Sequence, residues 1–401
     1  MRKLISSIFW VTGTTIGGGM VMLPAVVGVY GYFSAIGLVV AVWLLTTLIA
    51  LTFLEANCYL PARTNLISMS KQLMGSRFKW ITWIICLCFL YTIMCVYISG
   101  MTEIIGGFLE KNSIFIPSAY LSLFSVIAVG LPIYFGMGSI SRFNRFIVML
   151  MLLAFFTLVF LIVPHIDADI LLNTTESIPL MALPIVFTSF GFLIVIPSLR
   201  TYLDDDIKKI KIAIVVGSFI ALMVYIIWVT VVMGVIPVFG DNGLQWILEQ
   251  AKPVKHLTNT LSSQALSPSI ALLIQLFVLF AILSSFVGTS LGLYAFLADG
   301  LRNSKKCEGK MKLLVLTFLP PLIIAATFNR LFIIALGFAG LISTILFGLY
   351  PIMLTWSGRY GHKLPTKYRI SAKRGVFLLM GTFCLTIIGV ELLTLQLNFL
   401  K

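Results

Sequence analysis

Three consecutive glycines, Gly17, Gly18 and Gly19, sit in the middle of an apolar stretch. Each costs a helix roughly 1 kcal/mol relative to alanine, so a segment that only had to cross lipid has no use for them. They suit a helix interrupted at mid-depth. An interruption frees backbone N–H and C=O groups, which hydrocarbon cannot satisfy but a polar solute or an ion can. The first amides of the outer half-helix carry ~+0.5 charge and suit a carboxylate. Glycine also lets a ligand approach the main chain. A second such place reads Thr188-Ser189-Phe190-Gly191-Phe192. Thr14-x-x-Gly17 is followed by Pro24, and Thr188-x-x-Gly191 by Pro197. Either motif alone is equally explained by close helix packing. Together, in segments of opposite direction, they point to one binding site shared by two halves of the chain. The candidate substrate-binding residues are therefore Thr14, Thr15, Gly17, Gly18, Gly19, Thr188, Ser189, Phe190, Gly191 and Phe192. The glycine amides would take a carboxylate. Carbonyls at the second break, with Thr188 or Ser189, would take an ammonium. Phe190 and Phe192 would line an apolar pocket.

Titratable groups inside apolar stretches are few. Glu55 lies about one turn from the end of its segment, where an acid is either functional or an ordinary interfacial carboxylate. Glu103 and Glu391 read as interfacial. Asp299 beside Arg302 reads as a local ion pair or an inner gate. Asp204, Asp205 and Asp206 suit a helix N-terminus in water. Tyr91 and Tyr97 either reach the centre or pack. For cation coupling, Glu55 is the candidate for a proton. Ser284 and Ser285, with carbonyls freed at the first break, are the candidates for sodium. His165, His256 and His362 all fall in loops, and no metal cluster, nucleophile–base pair or phosphate loop is present. The six cysteines read as packing residues. Neither an enzyme nor a cofactor is expected, apart from a coupling cation. A channel lacks its filter motif, and a non-transporting sensor of the same fold stays open.

The elements that carry these residues follow from hydropathy. The chain has 401 residues, 60% hydrophobic and 10% charged, with a mean hydropathy of +1.07. A soluble surface needs more charge than that. Apolar runs long enough to cross ~30 Å of hydrocarbon as helices are expected at 6–30, 33–58, 80–107, 118–136, 144–164, 178–201, 210–235, 269–298, 312–328, 331–356 and 375–396. The net charge of +14 does not indicate a nucleic-acid partner, because Lys and Arg sit in short segments between the runs. With the N-terminus inside, 23 of the 28 Lys and Arg fall on the cytoplasmic side and 5 outside. That asymmetry predicts eleven spans with an external C-terminus. No cleavable signal peptide is evident. Two loop pieces, Leu66 to Met74 inside and Leu244 to Ala251 outside, are expected to be helical and to lie at the interface or act as gates.

The segments GTTIGGGMVMLP (Gly13 to Pro24), FTSFGFLIVIPSLRTYL (Phe187 to Leu203), SSFVGTSLGLYAFLADGL (Ser284 to Leu301) and FLEANCYLPA (Phe53 to Ala62) resemble the hydroxy/aromatic amino acid permeases, the tryptophan- and tyrosine-specific permeases of bacteria. The resemblance implies an all-α membrane fold of eleven helices. It has a five-plus-five inverted repeat with helices one and six discontinuous: 1–164 as the first repeat, 178–356 as the second, and 375–401 as a peripheral helix and tail. It implies import of tyrosine, tryptophan or phenylalanine across the bacterial inner membrane, usually by proton symport, with no obligate protein partner. The chain departs from the family at Leu193, where His is usual, and near Ala295, where an acid is usual. Both departures remove a titratable group, so a sodium-coupled carrier of another neutral amino acid remains the alternative.

Overall fold

The computed structural model describes every residue except Arg63, Gly136, 173–175, 265–266, 301–306, 329–330 and 400–401, with side chains also left aside at 135, 137–143, 307–308 and 397–399. The Asp299–Arg302 pairing, the cationic positions Arg63, Lys305, Lys306, Arg330 and Lys401, and the side chains of Arg142 and Cys307 thus lie outside the described residues.

Every regular element among the described residues is helical. The first apolar run is divided into α1 (Arg2–Thr15), α2 (Gly18–Val21) and α3 (Leu23–Gly28). Then come α4 (Tyr32–Cys58), the short α5 (Leu66–Met74), the long α6 (Ser76–Lys111), α7 (Ser118–Phe135) and α8 (Met137–Ile162). After a short α9 (Ala168–Leu172), the sixth apolar run is divided again. It consists of α10 (Leu183–Ser189), a 3₁₀ turn (Gly191–Val195) and α11 (Ile196–Tyr202). The rest is α12 (Ile207–Met233), α13 (Leu244–Glu249), α14 (Pro253–Ser263), α15 (Pro268–Gly300), α16 (Cys307–Thr327), α17 (Leu331–Ser343), α18 (Tyr350–Trp356) and α19 (Arg374–Phe399). A π-helical stretch, Thr344–Leu349, joins α17 to α18. Among the described residues, nine stretches are long and apolar enough to cross a membrane. The broken first run and the shorter α7 are the two expected spans outside that number.

The interior is built around the two divided runs. α1 packs on α12, and α10 and α11 pack on α4; α8 packs on α15, and α17 on α6. α6 also packs on α15, which reaches α2. Small residues set the closest approaches. A Cβ at Gly217 of α12 would lie 2.7 Å from Val11, and one at Gly340 of α17 would lie 2.6 Å from Pro184. Prolines inside the membrane helices leave carbonyls to be satisfied from elsewhere. Pro320 of α16 cannot donate to Leu316, and the Tyr91 hydroxyl donates to that carbonyl at 2.7 Å. Tyr91 is therefore a packing residue between α6 and α16.

Helix starts are capped by acids, as their dipoles favour. Asp206 accepts the Lys209 amide at the start of α12, as expected of the aspartate cluster. Glu176 accepts the Phe33 and Ser34 amides at 3.1 and 2.8 Å, reaching α4 from the loop after α8. Its carboxylate lies so near Gly31, at φ +98°, that any side chain there would collide with it.

One end of the bundle is closed by α13 and α14. The loop helix expected at Leu244 to Ala251 ends at Glu249, and a second helix, α14, follows that the sequence pattern had not suggested. Leu244, Ile247, Val254 and Leu257 are all buried under this lid. At the other end α5, at the expected boundaries, borders an open cavity.

Candidate functional site

The two interruptions face each other across a single hydroxyl. Tyr225, in the middle of α12 and fully buried, places its Oη 2.7 Å from the Thr15 carbonyl and 2.7 Å from the Ser189 carbonyl. Thr15 follows Thr14, and Ser189 follows Thr188, so these are the equivalent residues of the two motifs. The last carbonyls of both half-helices lack partners within their own helices, and Tyr225 serves both. A hydroxyl carries one proton, so it donates fully to only one carbonyl at a time. Trp228, one turn further on, lies with Nε1 3.5 Å from the Val21 carbonyl of the outer half.

The first interruption is crowded by α15 and α6. Gly17 is fully extended, at φ −164° and ψ −159°, and any Cβ there would collide with Ser285 Oγ. The Gly18 amide donates to Ser285 Oγ at 2.9 Å. A Cβ on Gly18 would lie 2.7 Å from the Tyr97 ring, and one on Gly19 would lie 3.3 Å from Ser189 Oγ. The Tyr97 hydroxyl faces the Ser285 and Thr289 side chains. The glycines are thus the condition for α15, α6 and α10 to close on the break together.

The second interruption is different. Phe190 and Phe192 are buried, and the Phe190 ring stands edge-on to Tyr225 with centroids 5.1 Å apart. They form the packed wall behind the break. Gly191 between them has nothing within 4 Å of a built Cβ. Thr188 is half-buried and bonds to the Pro184 carbonyl at 2.9 Å and to Ser343 Oγ at 3.1 Å, at the end of α17. Ser189 turns its hydroxyl back to Ile185. Thr14 also bonds within its own helix, to Trp10, and is exposed.

From Gly191 the same face of the 3₁₀ turn and α11 runs through Ile194, Pro197 and Ser198 into the cavity beside α5. This cavity has a volume of about 220 Å³, and its wall is mostly apolar. Phe53, Phe89, Phe296 and Phe347 supply its aromatic rings. These four come from four different helices, and no local motif announced them.

The cation-coupling candidates separate. Ser285 is at the first break. Ser284 is buried on another face of α15, with its hydroxyl on the Ala281 carbonyl at 3.1 Å and beside Met151 of α8. The two serines do not converge on one point. Glu55 is fully buried and holds four donors: Arg359 Nε at 2.9 Å, Arg359 Nη2, the Tyr59 hydroxyl and the Ile370 amide at 2.8 Å. Nearby, buried Arg200 bonds to Asp205, to the Asn57 main chain and to the Leu60 carbonyl. Lys367 bonds to the same Asp205 at 2.8 Å. These two clusters tie the end of α4 to α11 and to the segment before α19. Leu193 is buried and Ala295 is exposed. Among the described residues no group of three His, Cys, Asp or Glu side chains could hold a metal.

Comparison with known proteins gives a family match over almost the whole chain. The model of the tryptophan/tyrosine permease family matches residues 1–391. The tyrosine-specific transport system 1 of Haemophilus influenzae is 32% identical over 371 residues, covering 92% of this chain and 91% of that protein. The tryptophan-specific transport protein of Shigella flexneri is 29% identical over 387 residues, with 95% and 92% covered. The low affinity tryptophan permease of Escherichia coli is 29% identical over 367 residues, with 88% of each covered.

Proposed function

The chain belongs to the tryptophan/tyrosine permease family, and from that premise we propose that it is a secondary carrier importing tyrosine, tryptophan or phenylalanine with a cation, a proton in the first place. It is a membrane transporter rather than an enzyme. One observation carries the site: the Tyr225 hydroxyl lies between the equivalent carbonyls of two interrupted helices. In this reading the amides of Gly17, Gly18 and Gly19 take the substrate carboxylate, with the Gly18 amide exchanging Ser285 Oγ for it. Carbonyls of the second break and Thr188 take the ammonium. The ring extends past Gly191 toward the aromatic cavity. A zwitterion leaving water needs such partners, since each unpaired polar group costs several kcal/mol.

The packing supports a five-plus-five repeat. A shift of five spans turns the first–seventh pair (α1 with α12) into the sixth–second pair (α10 and α11 with α4). It also turns the fifth–eighth pair (α8 with α15) into the tenth–third pair (α17 with α6). Counting the broken first run and α7 gives eleven crossings, with α19 outside the repeats. The positive-inside asymmetry puts the α5 side in the cytoplasm of a bacterial inner membrane. The lid of α13 and α14 then covers the outer face, and the cavity opens inward. Divergence of Ser284 from Ser285 favours the proton over sodium.

Counterflow in proteoliposomes tests the substrate. Labelled tyrosine should exchange with internal tyrosine, tryptophan or phenylalanine, and leucine or serine should compete weakly. Equal competition by leucine or serine points to another neutral substrate, and binding without exchange points to a sensor.

A further inference from the structure

Among the described residues three carboxylates are buried inside the bundle: Glu55, Glu103 and Glu391. Glu55 is matched by the Arg359 guanidinium. Glu391 of α19 packs against Gly337 of α17. Glu103 sits near the outer end of α6 and differs from both. Its Oε2 accepts the Val254 amide at 2.8 Å, and the Lys255 amide lies beside the carboxylate. Those are the first turn of α14, an 11-residue helix that forms the outer lid. Ser99 Oγ lies 3.4 Å from Oε1.

The neighbouring charges are engaged elsewhere. Lys255 Nζ pairs with Glu110, and Lys252 Nζ lies 3.9 Å from Glu110. Burial and the adjacent Lys255 hold His256 below its ordinary value, and its ring stands edge-on to Trp246 at 5.1 Å. From α15 the facing polar group is Gln275, and none of these gives Glu103 an ion pair. A crevice of about 10 Å³ lies among Glu103, Gly107, Lys255, Thr258, Asn259 and Gln275. That is room for about one water, enough to carry a proton to the carboxylate.

We infer that Glu103 is the proton-binding latch of the outer lid: ionised it holds the start of α14 on α6, and protonated from outside it lets the lid lift. The inference rests on the carrier reading above and names where its proton binds. The ionised carboxylate accepts the Val254 amide strongly and attracts the positive end of the helix dipole. When a proton from external water bonds to Oε2, that oxygen becomes a hydroxyl and a poor acceptor, the Val254 amide loses its charge-assisted bond, and the charge–dipole attraction ends. Glu55 cannot play this part without stranding Arg359.

The test reads lid opening directly and needs no substrate. In a chain whose six native cysteines are replaced by alanine, Leu257→Cys places a thiol under the lid, where Leu257 is 1% exposed. Intact cells are treated with a membrane-impermeant maleimide at external pH from mildly alkaline to mildly acidic. Labelling should accelerate several-fold as the pH falls when Glu103 is present. With Glu103→Gln it should be fast at every pH. In proteoliposomes the same variant should still perform counterflow, which shows that it is folded, but should lose accumulation driven by an inward proton gradient. Glu103→Gln labelling that keeps the pH dependence of the parent, or gradient-driven accumulation equal to the parent's, overturns the inference. Failure of the parent chain to exchange any aromatic amino acid would instead refute the substrate reading and leave the labelling result to decide on Glu103.

Discussion

The two helix interruptions carry the same motif and are built by opposite means. At the first, glycine is required from outside: Ser285, Tyr97 and Ser189 press on the three positions where a Cβ would go. At the second, the lone Gly191 faces open space, and two buried phenylalanines hold the break from behind. The first half therefore offers backbone amides in a tight, preformed cradle. The second offers an open wall leading to the aromatic cavity. A polar head bound at the first and a variable ring held past the second is the division of labour this predicts. Gly191 is conformationally optional by this argument, whereas Gly17 and Gly18 are not.

The largest effect should come from filling the cradle. Gly18→Leu drives a side chain into the Tyr97 ring, where overpacking alone costs about 1–3 kcal/mol. Uptake should vanish while the protein still reaches the membrane at normal amounts. Wild-type affinity for tyrosine or tryptophan in that variant would remove the carboxylate site from these amides. Tyr225→Phe comes next. It keeps the ring against Phe190 but deprives two buried carbonyls of their shared donor, at about 1–3 kcal/mol. Thermal stability should fall, and counterflow should slow by roughly tenfold, since ~1.4 kcal/mol is one decade. Unchanged rates would mean that the two breaks are held independently and that their comparison lacks a common pivot.

Thr188→Ala should matter less. It removes a half-buried hydroxyl bonded to Pro184 and Ser343, worth about 0.5–1.5 kcal/mol, and should raise the KM for the amino acid without loss of folding. The smallest effect belongs to Gly191→Ala, where a methyl meets nothing within 4 Å and stability should stay within about 0.5 kcal/mol. Measured beside Gly17→Ala, which collides with Ser285, it gives the sharpest contrast. Equal tolerance of alanine at both positions would erase the difference between the two breaks.

Much of the frame was legible because its causes are local. Apolar runs mark spans wherever a backbone must satisfy its own hydrogen bonds in hydrocarbon. The glycine triplet and the matched Thr-x-x-Gly spacing mark the breaks because glycine and proline act on the residues beside them. The same locality gave α5 its boundaries, through its amphipathic pattern and the Asn65 cap. It missed α14, whose short polar sequence forms a helix of the lid by packing on α6 and α15. Phe190 and Phe192 were expected to line a pocket because they flank Gly191, but adjacency along a 3₁₀ turn does not fix which way a ring points.

That the chain crosses a membrane many times, where two of its helices are interrupted, and which family it resembles are all readable along the chain. Each of these rests on composition and short-range spacing. What the polar residues do emerges only once the helices are packed together. Tyr225 reads as one more aromatic in an apolar span until Thr15, 210 positions away, and Ser189, 36 away, are brought to its hydroxyl. Glu55 reads as a free intramembrane acid until Arg359, 304 positions later, folds onto it. Glu103 reads as interfacial until α14 sets its Val254 amide on the carboxylate. In a low-dielectric interior the behaviour of a polar group is set by its nearest partner. In a bundle of long helices that partner stands on a different helix, at a distance along the chain that no local pattern encodes.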